Sequence, residues 1–215
     1  MIDVRMFTVG QVQENCFIVR RKDAANAVIV DPGDEAPKLL AAVESLGIET
    51  VEAILVTHTH FDHIGAVAPV AEATKAPVYC PELELEVLAN IMDYIPWPGF
   101  GPFDSYQADH TVGGGETLEL AGLTFDVVFT PGHSPGHVTY AIADEAALFS
   151  GDVLFQGSVG RVDLPGGDWP TLLASIEKLT STYSPETTVY PGHMGITTLA
   201  RERATNPFLR ELAER

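Results

Sequence analysis

The chain has 215 residues, 46% of them hydrophobic, enough to bury a substantial core, and it reads as one domain over 1–215. Its 12 basic and 30 acidic residues give a formal net charge of −18, which argues against nucleic acid or an anionic membrane surface as a partner, since both attach to basic patches. No apolar run reaches membrane-spanning length, residues 1–6 lack the features of a signal peptide, and Cys16 and Cys80 are too few for a disulfide framework, so a reducing, cytoplasmic setting is expected.

In chain order, β-branched and apolar residues predict strands at 2–8, 17–20 and 27–31. The turn Asp31-Pro32-Gly33-Asp34 then leads into a helix over 36–46, with Leu39, Leu40, Val43 and Leu46 on one face and Gly47 as a C-cap. A strand at 53–56, a helix over 64–74, a strand at 77–80 and a helical stretch over 82–92 follow. Residues 94–110, rich in Pro, Gly and aromatics around Trp97, Phe100 and Phe103, stand apart, either as a lid or as a loop packed down by its own rings. The second half predicts strands at 117–120, 124–129, 138–143 and 146–150, a helix over 171–180 and a strand at 188–190. The stretch from Leu199 reads as helical, with a break near Asn206-Pro207. No Pro/Ser/Gly linker divides the chain, and the two halves read as one α/β sandwich with sheets inside and helices outside.

The chemistry concentrates in Thr57-His58-Thr59-His60-Phe61-Asp62-His63, straight after the apolar run 53–56. Three of the seven histidines fall within these residues. Neutral imidazole is the commonest metal ligand, and a neighbouring carboxylate suits a divalent ion. His58 and His60 share a face of an extended segment, while Asp62 and His63 follow where the chain turns and can serve a second position. Three more strand ends carry a ligand-type side chain behind small residues: Thr130-Pro131-Gly132-His133, Ser150-Gly151-Asp152 and Tyr190-Pro191-Gly192-His193. Proline and glycine there let the backbone turn sharply beside an ion. His137 reads as a hydrogen-bonding histidine behind the ligands, Asp31 as a possible partner of a ligand's second nitrogen, and His110 as a solvent-facing loop residue.

These residues resemble the metallo-β-lactamase fold superfamily, whose His-x-His-x-Asp-His motif stands here as His58, His60, Asp62 and His63, with later ligands at His133, Asp152 and His193. The resemblance implies a four-layer αββα sandwich, two mixed sheets flanked by helices, and two divalent ions, zinc by default with iron or manganese also suited. It implies that His58, His60 and His133 hold one metal, that Asp62, His63 and His193 hold the other, and that Asp152 bridges them. The segments 130–137, 150–161 and 190–193, with 162–168 and 197–209, look like short bacterial glyoxalase II-type hydroxyacylglutathione hydrolases. That likeness implies hydrolysis of a small thioester or ester by metal-activated water, with Asp62 and Asp152 catalytic and Arg161 towards the substrate. Met194-Gly195 stand where longer glyoxalases place an aromatic glutathione contact. Persulfide dioxygenases, which use one iron, share the fold and the Gly160-Arg161-Val162-Asp163 pattern, and other ester, lactone or β-lactam hydrolases are further alternatives.

Overall fold

The structure, a computed structural model, describes residues 1–209. The chain forms two compact units, one of residues 1–112 with 119–124, the other of 113–118 with the chain from 125 onward.

The first unit is built on a six-stranded sheet in the order β1 (Ile2–Val9), β2 (Glu14–Arg21), β3 (Asn26–Val30), β4 (Thr50–Leu55), β5 (Val78–Pro81) and β6 (His110–Val112). The first three strands pair antiparallel, while β3 through β6 run parallel. Parallel neighbours need crossovers, which α1 (Ala36–Ser45), α2 (Phe61–Ile64), α3 (Val67–Thr74) and α4 (Leu85–Ala89) provide. Ile18, Ile29, Ile54, Leu39, Val67 and Val70 meet in one apolar core.

The helix expected over 64–74 is α3, starting at Val67 rather than Ile64, which instead closes the short α2; between them the Ala66 amide donates to the Pro32 carbonyl (3.0 Å). The stretch 82–92 is likewise interrupted, with Asn90 leaving helical backbone at φ −141°. His110 does not lie in a loop but opens β6, exposed, its ring 4.5 Å from that of Tyr79. In the aromatic segment, Phe100 and Phe103 pack on Phe61 (ring centroids 4.7 and 6.1 Å), whereas Trp97, 6.5 Å from the same ring, stays 41% exposed.

The second unit carries β7 (Thr117–Leu120), β8 (Leu123–Phe129), β9 (Val138–Ile142), β10 (Ala147–Gly151), the small hairpin β11 (Leu154–Phe155) and β12 (Ser158–Val159), β13 (Thr188–Pro191) and β14 (Thr197–Thr198). Its six-stranded sheet is ordered β14-β13-β10-β9-β8-β7, mixed because β10 and β13 run parallel across the connection through α5 (Trp169–Thr182). The tip of the β7–β8 hairpin, 119–124, groups with the first unit, where the Ala121 amide donates to Glu52 (2.5 Å) and Arg21 donates to the Gly122 carbonyl (2.9 Å).

Helix α5 starts where the Asp168 side chain accepts from the Thr171 amide (3.0 Å) and hydroxyl (2.6 Å), an N-cap. Leu172, Ile176 and Leu179, one helical face, pack with Leu148, Val189 and Leu199 of α6 (Leu199–Thr205). Helix α6 ends at Asn206, as the break there predicts; the part of the helical expectation falling on 210–215 lies outside the described residues. Among the described residues no helix is long and apolar enough to cross a membrane.

Candidate metal centre

In the first unit, β4 delivers its end into residues 57–60, and α2 carries Asp62 and His63. His58 and His63 are fully buried, with ring centroids 4.1 Å apart, and the His60 ring stands edge-on to His58 at 4.8 Å. Asp62 keeps a partly exposed side chain, its Oδ2 3.9 Å from His63 Nε2. All four sequence-predicted ligands of this unit therefore gather at one strand end.

Asp31 organises them from behind. It stands just past β3 with φ of 48°, a left-handed backbone that Asp tolerates better than most residues. Its carboxylate accepts from the Thr57 amide (2.7 Å), the Thr57 hydroxyl (2.6 Å) and His63 Nδ1 (3.0 Å). Because the Thr57 hydroxyl spends its proton on Asp31, the 3.1 Å contact between Thr57 Oγ1 and His58 Nδ1 requires the imidazole N–H to donate. Both Nδ1 atoms are thus protonated, and Nε2 of His58 and of His63 is the nitrogen left to bind a metal. Ligand atoms of Asp31, His58 and His63 lie within 4.8 Å of one another, yet Asp31 already accepts three hydrogen bonds, so it orients the imidazoles rather than ligating.

Sequence reasoning missed two buried carboxylates. Glu84 accepts from the Thr59 amide (2.6 Å) and hydroxyl (2.9 Å), pinning the residue between His58 and His60. Glu14, fully buried at the start of β2, places Oε1 3.8 Å from His63 Nδ1. The only signal for Glu14 is a carboxylate heading an otherwise buried strand; nothing local marks Glu84. Gly33 allows the approach of chain here, since a Cβ on it would meet the Asp62 carbonyl oxygen at 1.6 Å.

In the second unit, His133, Asp152 and His193 follow β8, β10 and β13. Asp152 Oδ2 lies 3.4 Å from His133 Nε2 and 3.5 Å from His193 Nε2, so one carboxylate oxygen faces two imidazoles. His133 Nδ1 donates to the Arg161 carbonyl at 2.7 Å, which again leaves Nε2 for a metal. Gly160 makes room for this: a Cβ there would meet the Asp152 carbonyl oxygen at 1.8 Å and His133 Nδ1 at 3.1 Å. His137 is fully buried, with Nε2 3.1 Å from the Asp152 amide.

Arg161 has two unlike roles in the structure. Its carbonyl holds His133, while its exposed guanidinium forms a two-point pair with Asp163 (2.6 and 2.7 Å). Hydrogen bonding from Arg161 lowers the Asp163 carboxyl to about 2. The two cysteines are buried and free, and burial raises both thiols well above their ordinary range, so neither is poised to ligate or react.

The arrangement supplies imidazole nitrogens and carboxylate oxygens, the donor set of a divalent transition-metal ion, with His58, His63 and His133 each fixed by a hydrogen bond on Nδ1. A metallo-β-lactamase superfamily domain matches residues 9–193. The chain is 39% identical over 210 residues to the probable metallo-hydrolase YqgX of Bacillus subtilis, covering 95% of this chain and 96% of that protein. It is 32% identical over 210 residues to the hydroxyacylglutathione hydrolase GloC of Haemophilus influenzae, covering 97% and 98%. Among solved structures, the BLEG-1 B3 metallo-β-lactamase superposes with a TM-score of 0.90 at 40% identity, covering 97% of this chain and 99% of that one. TTHA1623 in a di-iron-bound form superposes with a TM-score of 0.77 at 45% identity, covering 96% and 100%.

Proposed function

The chain belongs to the metallo-β-lactamase superfamily, as a metal-dependent hydrolase, and from that premise we propose that it hydrolyses a small thioester of the S-hydroxyacylglutathione type at a two-metal centre. His58, His60 and His133 would hold one ion, Asp62, His63 and His193 the other, and Asp152 would bridge. The observation that carries this reading is Asp152 Oδ2, 3.4 Å from His133 Nε2 and 3.5 Å from His193 Nε2, two imidazoles assigned to different ions. Zinc is the default for this donor set, and the likeness to a di-iron protein keeps iron in play beside manganese. Two divalent ions bound there would supply a water with its pKa lowered towards neutrality and a Lewis acid for the substrate carbonyl.

The chain's own residues do the rest. Asp31, Thr57 and the Arg161 carbonyl hold three imidazoles in the tautomer that presents Nε2, so no reorganisation is needed on binding. Asp62, whose side chain reaches solvent, would help orient the attacking water. The leaving thiolate departs as an anion without full protonation, since a cysteine-type thiol has a pKa of about 8.5, far below that of an alcohol. Arg161 would meet an anionic part of the substrate with its charge already paired to Asp163.

A second reading, β-lactam hydrolysis, is favoured by the 0.90 superposition on BLEG-1. The deciding experiment is the rate of S-D-lactoylglutathione hydrolysis by purified protein, alongside nitrocefin turnover, with metal content measured on the same sample. Thioester hydrolysis with close to two metals per chain is expected. Nitrocefin turnover alone would move the substrate to β-lactams. A single iron with oxygen uptake on glutathione persulfide would replace the hydrolase by a dioxygenase.

A further inference from the structure

His137 takes no part in the reading above, yet it is fully buried beside the proposed bridging carboxylate. It precedes β9 and Asp152 follows β10; these strands are antiparallel neighbours, so both residues sit at the same end of the sheet. The Asp152 amide points at His137 Nε2 across 3.1 Å. An amide can only donate, so Nε2 must be the unprotonated nitrogen and the ring proton must sit on Nδ1. His137 Nδ1 lies 3.1 Å from Thr130 Oγ1, which accepts that proton's hydrogen bond and is itself hydrogen-bonded to Thr139 Oγ1 at 3.0 Å. Thr130 and Thr139 are fully buried as well. One chain of hydrogen bonds thus runs from the Asp152 amide through His137 to Thr130 and Thr139, with the two links to the imidazole defined in direction.

Both ring nitrogens of His137 are therefore engaged in the sheet, and neither is left as a metal ligand. On its other side the Asp152 main chain is closed in by Gly160, where a Cβ would meet the Asp152 carbonyl oxygen at 1.8 Å. The Asp152 backbone is held between an imidazole and a glycine, and its carboxylate oxygen stands between His133 and His193 from that fixed base. An apolar side chain at 137 would fill space but leave the Asp152 amide without this acceptor, and buried amides normally find one.

We propose that His137 is a positioning residue: held as the neutral Nδ1–H tautomer by Thr130 and Thr139, it fixes the Asp152 main chain and so sets where the bridging carboxylate stands. The proposal rests on the reading of Asp152 as a metal ligand, and it concerns metal binding, not the identity of the substrate.

The test compares zinc affinity by chelator competition, and the visible spectrum of the cobalt-substituted protein, across His137→Gln, His137→Asn and His137→Leu. The glutamine oxygen reaches the place of Nε2 and accepts from the Asp152 amide; the shorter asparagine and the leucine do not. His137→Gln is expected to bind zinc within about threefold of the parent, whereas His137→Asn and His137→Leu lose roughly 10–100-fold, the range typical of residues that orient ligands. The cobalt spectrum should shift in the latter two and be restored in the glutamine variant. Circular dichroism melts identify any variant that fails to fold; if leucine does, the glutamine–asparagine pair decides. Equal zinc affinity and equal cobalt spectra in glutamine and asparagine variants would overturn the proposal. An Asp152→Ala control separates the two ideas: unchanged zinc affinity in that variant would mean that Asp152 is not a ligand, a failure of the functional reading rather than of the His137 geometry.

Discussion

Asp31 Oδ2 lies 3.0 Å from His63 Nδ1, and through this bond a carboxylate at the end of one parallel strand dictates which nitrogen a histidine beyond the next strand presents. The same oxygen takes the Thr57 hydroxyl, which in turn fixes His58. Replacing Asp31 by Ala strands three donors at once, and each buried donor left unsatisfied costs about 1–3 kcal/mol. Asp31→Ala should therefore weaken metal binding by at least 10-fold to roughly 100-fold and lower the unfolding midpoint in denaturant. Wild-type metal affinity in a chelator titration of Asp31→Ala would refute the orienting role.

Glu84 makes two charge-assisted bonds to the residue between His58 and His60. Hydrogen bonds to a charged group are worth about 1.5–3 kcal/mol each. Glu84→Ala should destabilise the apo-protein by about 3 kcal/mol or more, read from urea unfolding, and raise the metal concentration needed for half-saturation. Glu84→Gln, which retains one acceptor oxygen, should fall between. An alanine variant as stable as the parent would show that the Thr59 pin is dispensable.

The Arg161–Asp163 pair makes a prediction about pH. Asp163 is lowered in the folded protein to about 2, so the pair is complete above the ordinary carboxylate range and is lost only as pH falls towards that value. Between about pH 5 and 8 the pair should not titrate, and KM for an anionic substrate should carry no pH dependence from it. Asp163→Asn frees the guanidinium and should lower that KM a few-fold, with kcat little changed and with stronger dependence on salt. An unchanged or raised KM would remove Arg161 from substrate binding.

Trp97 offers a half-exposed ring beside Phe61, the residue between His60 and Asp62. Trp97→Ala should change KM by several-fold and leave metal content at the parent level. Loss of metal with KM intact would assign the ring to holding α2 in place instead.

Much of this was legible in the chain alone. Strand runs such as 53–56 and 138–143 carry their signal locally, as β-branched residues bounded by turns, and the His-x-His-x-Asp-His spacing names its chemistry because four ligand-type side chains in six residues have no packing explanation. The same local signals misplaced the start of the helix at 64–74 and ran through the interruption at Asn90 in 82–92; the Ala66 amide finds its acceptor at Pro32, far back in sequence. What the tertiary structure alone decided is which nitrogen His63, His133 and His137 offer, and that Asp31 stands behind His63. A tautomer is set by the hydrogen bond on the opposite ring atom, and those partners, Asp31 for His63, the Arg161 carbonyl for His133, the Asp152 amide for His137, lie 15 to 32 residues away in the chain and meet only when the strand ends are brought together.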